Sequence, residues 1–105
     1  LSLSAGLLAV NPTPASAWSR WDAPPTDENL ESLRWCESTN DYTADTGNGY
    51  YGAYQFDLQT WEWLGYWGWP SEADPDVQDQ AARDLYDYSN WDGWPSCSRW
   101  LGLKY

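Results

Sequence analysis

The chain is 105 residues long, enough for one domain around one hydrophobic core. It carries 16 acidic and 5 basic side chains and no His, a formal charge of −11, so the Lys/Arg footprint that nucleic acid or an anionic membrane requires is missing. The lack of His also excludes imidazole metal sites and His-based catalytic triads.

In chain order, LSLSAGLLAVNPTPASA comes first, an apolar run from Leu1 to Val10 followed by the small-residue triplet Ala15-Ser16-Ala17. This is the pattern of a signal peptide, at 1–17, truncated of its Met and basic start and cleaved to leave Trp18 first. A plain apolar tail is the alternative, and the run is too short to span a bilayer. Residues 18–28 then read as a short linker into a domain at 29–105. Thr26 is a candidate N-cap, with Asp27, Glu28 and Glu31 suited to the positive helix end, and the spacing of Leu30 and Leu33 predicts a helix over 27–37.

The next segment, DTGNGYYGAYQF, has a tight turn at Gly47-Asn48-Gly49, and Tyr50–Phe56 has the β-propensity of a short strand, which predicts a hairpin-like flap. Asp57 caps a second predicted helix, with Leu58, Trp61 and Leu64 on one face and Gly65 ending it. GYWGWPSEA at 65–73 is a loop. Asp74-Pro75 starts a third helix, with Val77, Ala81, Leu85 and Tyr88 as its buried stripe and Asp79–Arg83 as an i,i+4 pair. The tail after Tyr88 reads as loop that returns Cys97 to the first helix.

Two Cys in a small exported chain are expected to pair, and Cys36–Cys97 would close a loop of about 62 residues, worth about 4 kcal/mol of chain entropy. A nucleophilic thiol is the rival, with no His to activate it. Ten Trp and eight Tyr against one Phe exceed what one small core needs, so several rings are expected in a groove, where flat faces suit sugars. Tyr51, Tyr54, Trp67 and Trp69 are the groove candidates. Trp61 and Tyr88 are assigned to the core, and Trp91 and Trp94 to covering the disulfide.

With no His, reactive Cys or phosphate loop, acid–base chemistry falls to carboxylates, and glycoside cleavage is a reaction that needs only those. Its acid must stay protonated near neutral pH, which requires apolar surroundings. Glu37 is the best placed of the 16 acids: it follows Trp35 and Cys36, precedes the aromatic flap, and sits at a helix C-terminal end, where an anion is disfavoured. A solvated helix-end glutamate is the alternative on these grounds alone.

CES followed by TGNGYYGAYQF, then TW, and near the end WDGWPSCSRWLGL, together resemble the catalytic domain of the resuscitation-promoting factors, a family of transglycosylase-like proteins. The resemblance runs from about residue 29 to 103. It implies a lysozyme-like fold, here an α+β, helix-dominated domain with a short β-hairpin flap and one disulfide, and cleavage of the β-1,4 bond between N-acetylmuramic acid and N-acetylglucosamine in peptidoglycan.

By that resemblance Glu37 is the catalytic residue, Cys36 and Cys97 the disulfide pair, Gly52 and Gln55 the Gly-x-x-Gln element beside the acid, and Thr60 a substrate contact. Asn48, Tyr51, Tyr54 and Trp69 complete the substrate-binding candidates. Asp41, Asp45 and Asp57 are the candidates for a second carboxylate, but the resemblance implies a single acid, assisted by the substrate's 2-acetamido group, to give a 1,6-anhydro product.

Two departures stand out. STNDY occupies the place where many members read Ser-Gly-Gly-Asn and an aromatic, and GAYQF replaces Gly-Gly-Leu-Gln-Phe. No cofactor or metal is implied. The expected partner is the peptidoglycan glycan strand, with a partner wall hydrolase a further candidate, and the expected setting is a secreted, wall-associated monomer. A non-catalytic peptidoglycan-binding or signalling module and a secreted protein-interaction domain are the rival functions.

Overall fold

A computed structural model describes residues 22–104. The predicted signal peptide and the start of the predicted linker lie outside the described residues. Four α-helices follow in order: α1 Asp27–Ser38, α2 Leu58–Trp63, α3 Pro75–Ser89 and α4 Pro95–Trp100, with 3₁₀ turns at Pro70–Glu72 and Asn90–Gly93. Among the described residues no helix is long and apolar enough to cross a membrane.

The helix starts are where the capping residues place them. Thr26 Oγ1 accepts the Asn29 N–H at 3.1 Å, with Asp27 and Glu28 in the first turn of α1. Asp57 Oδ1 accepts the Thr60 N–H at 2.7 Å and opens α2. Asp74 precedes Pro75 at the start of α3, where the fixed φ of proline suits the first turn. Ahead of α1, the Ala23 N–H donates to the Leu103 carbonyl at 2.8 Å. The Ala23 carbonyl in turn accepts from Trp91 Nε1 at 2.7 Å and the Tyr86 hydroxyl at 3.1 Å. The described part of the predicted linker is therefore docked on the domain.

Leu30, Leu33, Ala53, Tyr54, Phe56, Trp61, Ala81, Ala82, Trp91, Trp94, Cys97 and Leu103 form the core. Its aromatic rings tilt against one another rather than stacking flat. Phe56 lies 5.3 Å from Trp61 and 6.3 Å from Trp94, as ring quadrupoles favour.

Four expectations are corrected by the structure. The segment Tyr50–Phe56 is not a strand. Two isolated antiparallel bridges, Asp45 with Tyr51 and Tyr51 with Phe56, take the place of the hairpin. Tyr51 and Phe56 exchange both backbone hydrogen bonds, at 2.9 and 3.0 Å, around the turn Gly52–Gln55. Gly52, Ala53 and Tyr54 are all buried in succession, which a strand with alternating faces does not allow.

The stripe of α3 is half as expected: Ala81 and Leu85 belong to it, but Val77 and Tyr88 do not. Its buried residues are Gln78, Ala81 and Ala82, with Leu85 and Tyr86 packed beside them, whereas Val77 and Tyr88 are 37% and 71% exposed. Gln78 is wholly buried because it serves three backbone groups. Its Oε1 accepts the Ala53 N–H at 2.9 Å, and its Nε2 donates to the Ala73 and Tyr42 carbonyls at 2.9 and 3.0 Å. Leaving any one of these unpaired would cost about 1–3 kcal/mol. The expected Asp79–Arg83 pair is absent too, since Arg83 pairs with Asp27 and Asp79 with Arg34.

Finally, the tail after Tyr88 is helical rather than loop. Pro95 stands at the first position of α4, a start rather than a break.

Candidate active site

Glu37 occupies the last turn of α1, one position after Cys36, which is bonded to Cys97 of α4 with a Cα–Cα distance of 5.9 Å. The disulfide thus clamps the carboxylate-bearing end of α1 to a helix remote in sequence. Between them lies a cavity of about 290 Å³ lined by Glu37, Tyr50, Gln55, Gly93, Trp94, Pro95, Ser96 and Cys97. Among the described residues Glu37 is the one carboxylate in that lining.

Burial raises the Glu37 carboxyl from 4.5 to about 7. Among the described residues no hydrogen bond or ion pair holds its charged form, and the negative end of α1 acts in the same direction as burial. A group that is half protonated at neutral pH can give a proton and take one back.

Gln55 is held beside it at some cost. Its φ of 56° is in the left-handed region, which non-glycine residues occupy at about 1–2 kcal/mol. Both its backbone N–H and its Nε2 donate to the Gly52 carbonyl, at 3.2 and 3.0 Å. This pins the amide and leaves Oε1 without a donor among the described residues. Strain retained at such a position fits a residue whose placement matters to the site.

The other predicted contacts are not brought to this cavity. Gly52, with φ 79°, packs on Gln78, and a Cβ there would lie 2.4 Å from Gln78 Oε1, so its glycine serves packing rather than a groove. Tyr54 is fully buried, and its hydroxyl donates to Asp79 Oδ1 at 2.7 Å. The groove role expected of it is corrected to a core one, and burial followed by the Asp79 hydrogen bond pushes its phenol well up.

Tyr42 also donates to Asp79, at 2.8 Å, while Arg34 reaches the Tyr54 hydroxyl at 2.8 Å. Burial, then the Asp79 hydrogen bond, pushes the Tyr42 phenol to about 12. Thr60 lies in the first turn of α2 with its N–H on Asp57. Asn48 is exposed, with Oδ1 accepting the Tyr50 N–H at 3.0 Å. Tyr51 sits edge-on to Trp69, 5.2 Å between centroids, and Trp67 is 92% exposed.

The candidate second carboxylates are also elsewhere. Asp41 is exposed and accepts from the Thr43 hydroxyl and N–H, which hold its carboxyl below the usual range. Asp45 lies in a bridge, and Asp57 caps α2. Tyr50, Gly93, Pro95 and Ser96 line the cavity unforeseen, and Trp94 joins them while donating Nε1 to the Tyr54 carbonyl at 3.0 Å. The signal available for this group was the disulfide, because residues just before Cys97 must lie close to Glu37.

Just beyond Glu37, Thr39 and Asn40 have φ values of 56° and 61°. Both are left-handed, the conformation glycine adopts freely, at the place where the resemblance puts a Gly-Gly pair. Asn40 tolerates it and its Oδ1 accepts Arg34 Nε at 2.7 Å. Thr39 is β-branched and exposed, so the conformation costs it more. Thr39→Gly should therefore stabilise the domain by about 1 kcal/mol, seen as a melting temperature higher by about 4–8 °C in calorimetry.

The Transglycosylase-like domain family matches residues 24–97. Resuscitation-promoting factor Rpf of Micrococcus luteus is 40% identical over 78 residues, covering 74% of this chain and 35% of that protein. Resuscitation-promoting factor RpfC of Mycobacterium tuberculosis is 31% identical over 102 residues, covering 97% of this chain and 71% of that protein. RpfD of the same species is 35% identical over 72 residues, 69% of this chain and 47% of its own length. The chain thus spans between about a third and about seven-tenths of these relatives. It belongs to the resuscitation-promoting factor family and carries that family's transglycosylase-like domain.

Proposed function

We propose that this domain cleaves the β-1,4 bond between N-acetylmuramic acid and N-acetylglucosamine in peptidoglycan, outside the cell, with Glu37 as its single catalytic acid. The observation that carries this reading is a carboxyl lifted to about 7 by burial, standing as the one carboxylate in a cavity between α1 and α4.

Protonated Glu37 gives its proton to the glycosidic oxygen as the C1–O bond breaks, and the substrate's acetamido oxygen supports the cationic C1. The C6 hydroxyl then attacks C1 and returns its proton to the Glu37 carboxylate, which regenerates the acid and closes a 1,6-anhydro ring. With no second carboxylate in the lining to activate water, an internal nucleophile is the better fit. Gln55, pinned through its Nε2, orients the sugar with its free Oε1. The disulfide suits an oxidising, extracellular setting.

Purified cell walls digested with the protein should release muropeptides ending in anhydro-muramic acid, each one water lighter by mass spectrometry than a hydrolytic product. Reducing ends would replace the internal nucleophile with water. Walls that bind the protein and release nothing would favour a binding module.

A further inference from the structure

A larger cavity, of about 530 Å³, is lined by Ser32, Trp35, Cys36, Trp100 and Leu101. Ser32, Trp35 and Cys36 share one face of α1, spaced by three and four residues, and Trp100 and Leu101 close the end of α4. The disulfide joins this cleft to the one with Glu37, since Cys36 lines the larger and Cys97 the smaller.

Trp35 and Trp100 are 55% and 80% exposed. Among the described residues neither indole stacks on another ring. Large rings standing free in water at a cleft mark a surface that gains by being covered. Among the described residues the lining carries no charge, in a chain whose formal charge is −11. A polyanion is repelled by the molecule as a whole, and a cation finds no carboxylate in the cleft. What two indole faces, an aliphatic floor and one hydroxyl match is a neutral ring with a C–H face and a polar rim.

We infer that this cleft is a second glycan-binding site, taking neutral N-acetylhexosamine rings of a strand and holding the enzyme on its insoluble substrate. The choice of ligand rests on the function proposed above, but the site does not depend on Glu37 chemistry.

The test is a titration of ¹⁵N-labelled Glu37→Gln protein with tetra-N-acetylchitotetraose. The indole N–H signals of Trp35 and Trp100 report the cleft, and the Gln55 side-chain amide reports the Glu37 cavity. Saturable shifts of both indoles are expected. Trp35→Ala/Trp100→Ala, which alters only exposed rings, should keep the Gln55 response and weaken retention on purified walls about tenfold. Indole shifts without a Gln55 response would keep the cleft and sink the glycan role of the Glu37 cavity. A Gln55 response without indole shifts, or no response at all, overturns the cleft. So does movement of the indole signals on protein dilution without sugar, which would make the cleft a contact between copies.

Discussion

Glu37→Gln is expected to release muropeptides from purified walls about a hundred- to ten-thousandfold more slowly than the wild type, and to be the more stable protein above neutral pH. The first effect is the usual contribution of a positioned general acid. No other carboxylate in the cavity can substitute for it, and the amide keeps the shape while losing the proton.

The second effect follows from the same burial. A carboxyl at 4.5 when unfolded and about 7 when folded makes folding less favourable as pH rises through that window, because the unfolded chain gives up its proton first. Below pH 4.5 both states hold the proton and the penalty vanishes. The idealised cost above pH 7 is about 3 kcal/mol, and water access at this half-buried position reduces it to about 1–2 kcal/mol. Glutamine carries no such cost. The variant should melt about 5–10 °C higher at pH 8 and with the wild type at pH 4, as read by calorimetry at the two pH values. Equal melting at both would mean that the Glu37 carboxyl is solvated.

Removal of the disulfide is the other large effect. In Cys36→Ser/Cys97→Ser the unfolded chain regains the freedom of a loop with a sequence separation of 61, worth about 4 kcal/mol. A domain of this size has a total stability of only about 5–10 kcal/mol. Urea unfolding should show most of it lost, and activity on walls should fall further than the folded fraction alone. Cys97 lines the Glu37 cavity, so freeing α4 from α1 opens it to water and lowers the carboxyl towards 4.5. A loss below about 1 kcal/mol would show that packing of Trp91, Trp94 and Leu103 alone holds the C-terminal helix.

How far the sequence could be read depended on whether the deciding interaction was local. Thr26, Asp57 and Asp74-Pro75 sit beside the helices they start, and all three starts are where expected. That Glu37 stands at the clamped end of α1 was legible because its neighbour is a cysteine, while its catalytic role was read from the family resemblance. Polar interior groups were not. Gln78 reads as a solvent residue until the chain brings Ala53, Ala73 and Tyr42 to it, and it joins Ala81 and Leu85 on the buried face of α3 while Val77 and Tyr88 are exposed.

The tyrosines of the 50–54 turn were separable only through backbone conformation. A left-handed Gly52 sends Tyr54 inward to Asp79 while Tyr50 lines the cavity. The short α4 was hidden by Pro95, which breaks a helix from inside and starts one from its first turn. Thr39 and Asn40, where the resemblance puts a glycine pair, take the left-handed conformation that glycine adopts freely.

Everything proposed for the reaction depends on Glu37 holding its proton near neutral pH. The direct measurement is the side-chain carboxyl carbon of Glu37 followed by NMR across a pH titration, beside the rate of muropeptide release over the same range. The expected midpoint is about 7, with the rate falling through the same pH as the acid is lost. A midpoint near 4.5, with activity persisting well above it, would contradict Glu37 as the proton donor.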